Sequence, residues 1–285
     1  MIPSLHNGIT ALKSLSQGLQ ILGNNIANVN SLGYKSSRAN YSDNFYLHLN
    51  DAESGADGEP SNNIQQHGTG VHVGSVSSNF NQGTIEVTGL DLDLAIQGEA
   101  LPNGGGFFEV TDPVTGELFY TRAGAFEATN QGFVVTRDQY RYQLQGVDNA
   151  LTVAVPETQT LLARRVEEDG VINLVVHDSV QKKDIVTKVG QVKLVNFLSP
   201  QYLRRVGNGF YSNGRAGQNI AGISANPVPA TGSNGKIKQY ALEMSNVDLT
   251  NEFASMISHQ RSFQAGSRVV TTSDMILSEA VNLKR

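Results

Sequence analysis

Two apolar ladders with helical spacing, one at each end of the chain, constrain the fold more than any other feature. Ile2, Leu5, Ile9, Leu12, Leu15, Leu19, Leu22, Ile26 and Val29 follow steps of three and four, which lays them along one stripe of an α-helix. Asn7, Lys13, Gln17, Gln20 and Asn24 take the opposite face. Pro3 suits the first turn, where a missing N–H leaves no bond unmade. The helix is expected to end near Asn30, with Gly33 able to turn left-handed, and a rise of about 1.5 Å per residue makes it roughly 40 Å long. The second ladder runs through Leu249, Phe253, Met256, Phe263, Val270, Leu277 and Val281, with Gln260, Ser267 and Asp274 as polar rungs. Asp248 is its expected N-cap, and Glu252 lies in the first turn, where negative charge suits the helix dipole.

Stripes of this length need partners, because burying one large apolar side chain contributes roughly 1.5–3 kcal/mol. The two helices can satisfy each other as an intramolecular coiled coil, or the pair can also pack against neighbouring copies. Polar groups at seam positions fix register and oligomer state, which favours the second arrangement. The expected self-assembly interface is therefore Leu12, Leu15, Leu19, Leu22, Ile26 and Val29 with Phe253, Met256, Gln260, Phe263, Ser267, Val270, Asp274 and Leu277.

Between the ladders the pattern changes. Residues 50–63 are polar and turn-rich and read as a loop or extended arm. Alternation starts at Val71-His72-Val73, and short strands follow to about residue 240, among them Leu92/Leu94/Ile96, Phe108/Val110, 171–176 and 191–197. Asp-Gly at 169–170 and Asn-Gly at 208–209, 213–214 and 234–235 mark tight turns. The expected class is α+β: long N- and C-terminal helices forming a coiled-coil-like pair, with an inserted all-β domain and an extended linker arm. The division is 1–34 for the first helix, 35–80 for the arm, 81–240 for the β domain and 241–285 for the second helix.

The chain offers little chemistry. Cysteine is absent, so there are no disulfides or thiolate metal sites. A net charge of -5 without a basic block argues against nucleic acid, and no run approaches the ~20 apolar residues of a membrane span. The N-terminus lacks the basic and apolar regions of a secretory signal peptide. Gly68-Thr69-Gly70-Val71-His72-Val73-Gly74 is one residue too long for a dinucleotide loop and precedes a strand. His67 and His72 lack metal-ligand spacing. Asp91/Asp93 and Glu167/Glu168 read as solvated carboxylates beside turns, and no serine sits in a Gly-x-Ser-x-Gly elbow. No catalytic residue, cofactor or metal is expected.

Three blocks carry a resemblance. They are Asn24-Asn25-Ile26-Ala27-Asn28-Val29-Asn30-Ser31-Leu32-Gly33-Tyr34-Lys35; then Leu92 to Gly98, Phe107 to Val110 and Tyr120 to Phe126; then Ser245-Asn246-Val247-Asp248-Leu249 running to Gln260-Arg261 and Thr272-Ser273-Asp274. In this order they resemble the bacterial flagellar rod and hook axial proteins. The resemblance implies a non-enzymatic subunit that polymerises into a hollow helical tube transmitting torque and passing exported subunits. It implies terminal helices in the inner wall and export through the flagellar secretion channel. The implied partners are copies of the chain itself, other axial proteins (rod, hook and hook–filament junction), and ring and cap proteins. Residues 99–103 and their extra glycines depart from the family's short passage into Phe107-Phe108. Length favours a rod protein, and the block from Gly33 to Phe45 resembles a short hook protein. A secreted β-rich glycan-binding or hydrolytic protein is the alternative from another class, although tryptophan, the usual sugar platform, is absent.

Overall fold

The two ladders form the only long helices among the described residues, α1 at Pro3–Ala27 and α2 at Leu249–Asn282. The computed structural model describes residues 3–50, 64–98, 105–147, 150–153, 159–178, 183–214, 221–222 and 235–283. Most of the 50–63 run, the departure at 99–103 and Asn234 lie outside these residues. Asp248 caps α2, its carboxylate accepting from the Thr250 and Asn251 amides at 2.9 and 3.4 Å. α1 stops at Ala27, short of Asn30, where short polar side chains take over: the Ser31 hydroxyl reaches Asn28 Oδ1 at 3.1 Å and the Ser31 amide reaches the Asn28 carbonyl. Such local bonds compete with the helical ladder. Gly33 then adopts φ +62°, as its position after the helix requires.

The chain divides into two units. One gathers Met1–Ala27, Ser37–Ser78 and Asp248–Arg285; the other gathers Asn28–Ser36 and Asn79–Val247. In the first unit, residues expected to form an extended arm carry paired strands. Ser37–Asp43 runs antiparallel to Val71–Ser78, with a register shift at Asn40/Tyr41, and Tyr46–Asn50 pairs with Gln65–Gly68. Polar side chains bond across these strands, as Asn40 Nδ2 does to Ser75 and Ser77 Oγ at 3.1 and 3.3 Å.

The second unit is built on an eight-stranded antiparallel sheet. Its order is Arg204–Gly207, Phe210–Ser212, Leu118–Thr121, Phe107–Thr111, Gln143–Leu144, Val134–Thr136 and Phe126–Ala128, with Leu194–Val195 also paired to Phe107–Thr111. A three-stranded antiparallel sheet of Gln159–Val166, Val171–Asp178 and Lys183–Gln191 adds Ile172, Leu174 and Val176 to the same core as Leu94, Ile96 and Phe108. A second cluster stacks Phe80, Phe107, Tyr120, Phe197 and Tyr211, with Tyr120 and Phe197 edge to face at 4.8 Å, a favoured aromatic geometry. Asp93, expected to be solvated, is buried. Its carboxylate accepts from Thr88 Oγ1 at 2.6 Å and Arg137 Nη2 at 2.9 Å, which offsets the cost of removing it from water.

Candidate functional site

α1 and α2 run antiparallel and meet through small and polar side chains. Asn25 Nδ2 donates to Glu252 Oε1 at 3.1 Å. A Cβ on Gly18 would stand 3.1 Å from His259 Cδ2, a Cβ on Gly266 would stand 3.3 Å from Leu12 Cδ2, and Ser4 Oγ lies 3.3 Å from Ser273 Oγ. The α2 members, Glu252, His259, Gly266 and Ser273, recur once per heptad, as do Ser4, Gly18 and Asn25 on α1 with the heptad position at Ala11 passed over. Gly8 extends the pattern, since a Cβ there would come within 2.9 Å of Val270 Cγ2. Glycines at these places let the backbones approach closely.

The seam is tied to its own unit by side chains. Asn25 Oδ1 accepts from the Ser37 amide at 2.9 Å while its Nδ2 donates to the Ser37 carbonyl at 2.8 Å. Ser14 Oγ sits between the Thr10 and Val71 carbonyls at 2.9 and 3.0 Å. His259 Nδ1 donates to the Ser255 carbonyl at 2.8 Å, and its Nε2 shares a hydrogen bond with the Tyr41 hydroxyl at 3.1 Å. Burial raises the Glu252 carboxyl above the ordinary range; the Asn25 bond opposes this and the Asp248 charge adds to it.

The expected interface residues fall into two groups. Leu12, Leu15, Leu19, Leu22, Ile26 and Val29 are all half-buried, Val29 lying beyond the end of α1. Met256, Val270 and Leu277 are half-buried on α2, whereas Phe253, Gln260, Phe263, Ser267 and Asp274 are exposed. The polar rungs therefore stand one residue past the positions that face α1. Ladder counting by apolar residues missed Gly8, Gly18, Asn25, Glu252, His259 and Gly266. For all of these but Gly8, which stands off that spacing, the sequence signal was the heptad recurrence of small and polar residues.

A buried ionic cluster organises the second unit. Glu243 receives Lys35 Nζ at 2.6 Å and Arg122 Nη1 at 3.3 Å, and all three side chains have 0% exposure. The Gly83 amide adds a bond to Glu243 Oε1 at 2.9 Å, Lys35 Nζ also donates to the Asn81 carbonyl at 2.8 Å, and Arg122 Nη2 donates to the Gly105 carbonyl at 2.6 Å. The Arg122 guanidinium lies 4.7 Å from the Phe107 ring centroid, a cation–π contact. Burial brings the Lys35 ammonium down to about 8, with the nearby Arg122 charge adding to the effect and Glu243 opposing it. Burial likewise lowers Arg122, against the pull of Glu243. Lys35 closes the first motif block, Arg122 belongs to the second and Glu243 stands two residues before the third, so residues far apart in sequence meet at one point.

Among the described residues, no group of three or more His, Cys, Asp or Glu side chains could hold a metal ion, and no helix is long and apolar enough to cross a membrane. Among the described residues the geometry is one of clamps and packing faces.

Three family models match the chain: a flagella basal body rod protein model over residues 5–35, the D1 domain of flagellar hook protein FlgE/F/G over 102–174, and the C-terminal flagellar basal body rod FlgEFG protein model over 238–283. The chain is 35% identical over 286 residues to the flagellar basal-body rod protein FlgG of Bacillus subtilis (strain 168), covering 100% of both. It is 30% identical to FlgG of Caulobacter vibrioides, covering 99% of each chain. It is also 30% identical to the flagellar hook protein FlgE of Treponema pallidum over 192 residues, which are 67% of this chain and 35% of that one.

Proposed function

Because this chain belongs to the flagellar basal-body rod and hook protein family, we propose that, within that family of structural and non-enzymatic proteins of the flagellum, it is a rod subunit. The observation that carries the reading is end-to-end similarity to rod proteins of the same length, 100% of both chains for the Bacillus relative, against only 35% of the hook relative. In this reading the subunit polymerises into a hollow helical tube that transmits motor torque and passes exported subunits, and it reaches its place through the flagellar export channel.

The α1/α2 pair forms the inner wall and supercoils as a coiled-coil-like unit. The half-buried leucines of α1 and the exposed Phe253, Gln260, Phe263, Ser267 and Asp274 of α2 then meet neighbouring copies. Further partners are the adjoining rod proteins, the hook and hook–filament junction, and ring and cap proteins. The match to a hook protein over two thirds of the chain supports a second reading as a short hook subunit. Labelled antibody on isolated basal bodies separates the two: the rod reading expects label between the rings and hookless cells in the deletion strain. Label confined to the curved segment beyond the rings would overturn it.

A further inference from the structure

The chain crosses between the two units at 27/28, 36/37, 78/79 and 247/248, and three segments of the β-rich unit flank the last three crossings: 34–36 leads out to Ser37, 79–81 leads in from Ser78, and 244–247 leads out to Asp248. None of the three lies in a strand, so no sheet ladder holds them. One side chain reaches all of them. Asn246 Oδ1 accepts from the Ser36 amide at 2.8 Å, its Nδ2 donates to the Asn79 and Asn81 carbonyls at 2.9 and 3.0 Å, and its own amide donates to the Tyr34 carbonyl at 3.3 Å. The Asn79 amide closes the ring on the Ser36 carbonyl at 2.8 Å. An amide side chain is the group suited to this place, since it offers an acceptor and two donors from one rigid plane.

We infer that Asn246 is the positioning residue that fastens these three segments into one joint. The inference rests on the rod reading for its purpose: load carried along the chain through these three segments is shared between them by a single cross-tie. Three separate tethers would instead yield one after another. The joint has a second layer in the buried cluster, because Lys35 bonds both Asn81 and Glu243, and the Gly33 amide bonds the Glu243 carbonyl at 2.8 Å. Asn246 is only half-buried, so its bonds, rather than its bulk, are what a substitution removes.

The test is residue-resolved hydrogen exchange on the full-length subunit in solution, which does not depend on what the chain builds. In Asn246→Ala, the Ser36, Asn79 and Asn246 amides should exchange about tenfold faster or more, and together, while the strand Phe107–Thr111 keeps its protection. Asn246→Asp keeps the acceptor for Ser36 but sets a carboxylate against two carbonyls, so it should spare Ser36 and release Asn79. Faster exchange at Ser36 alone in the alanine variant, or equal loss across Phe107–Thr111, overturns the joint. In cells, the alanine variant should swim normally in dilute medium and fail in viscous medium. Wild-type behaviour in viscous medium, with the exchange result as expected, would overturn the load-sharing purpose and leave the joint standing.

Discussion

The Lys35 ammonium and the Glu243 carboxylate meet at 2.6 Å, 208 positions apart in sequence, with neither side chain exposed to solvent. Buried pairs of this kind stabilise little relative to an apolar substitute, but removing one partner strands the other's charge. Glu243→Gln should therefore destabilise the β-rich unit by about 3–5 kcal/mol, read as a lowered urea midpoint. An unchanged midpoint would mean that Arg122 and Lys35 find other acceptors.

The same lysine sets a pH signature. Unfolded, it keeps its proton to the ordinary 10.5; folded, it releases it near 8. Below about pH 8 its burial opposes folding at full strength. Between 8 and 10.5 the unfolded chain binds the extra proton, so this site's contribution to stability rises with pH. Tyr120 acts oppositely and later, because burial, helped by Glu109, pushes its phenol up to about 12, and its contribution is lost above pH 10. Lys35→Met should erase the rise between 8 and 10.5 in urea titrations. A wild-type-minus-mutant difference that stays flat across that window contradicts the assignment.

Gly124→Ala tests the sheet. A Cβ there would collide with the Leu94 carbonyl and lie 3.2 Å from Phe108 Cε2. Backbone cannot yield as a flexible side chain does, so the cost should reach about 3 kcal/mol. Gly116→Ala, whose Cβ would meet nothing within 4 Å, controls for the change itself, although its φ of +71° carries a strain of about 1 kcal/mol. Equal thermal shifts in the two variants would remove the collision as the cause.

Leu22→Asp should abolish assembly and leave the β-rich unit folded, because a carboxylate in a packed seam loses its water without gaining a partner. Circular dichroism of the free subunit would retain the β signal. Tubes of native diameter from this variant would take Leu22 out of the interface.

Gln260→Leu with Ser267→Leu probes the exposed rungs of α2. If they select register among neighbouring copies by penalising wrong ones, the double variant keeps or raises helicity and gives polymorphic assemblies. Uniform native tubes under the microscope would instead mark these rungs as a solvated channel face.

Both helices were legible in the sequence because apolar residues kept strict helical spacing over many turns, and the Asp248 cap was legible from residue type and place. Alternation at Leu92/Leu94/Ile96 and Phe108/Val110 announced the β core. The α1/α2 contact was not legible in its true register. Hydrophobic counting points to leucines, while backbones approach where side chains are small, at Gly8, Gly18 and Gly266. The pairing of Lys35 with Glu243, and the reach of Asn246 to Ser36 and Asn79, could not be read at all. Each depends on the chain returning to its starting point after crossing the whole β-rich unit, and local pattern carries no trace of that return.

The glycine contacts between α1 and α2 imply something about the subunit's life before assembly. A pair held through Gly8, Gly18 and Gly266 closes without fully covering its leucines, so Leu12, Leu15, Leu19 and Leu22 remain half-open to water. Such a molecule is ready to adhere from the moment it is made. If, as proposed, these stripes complete a wall when copies arrive singly at a growing end, the same stripes would cause premature clumping wherever many copies waited together.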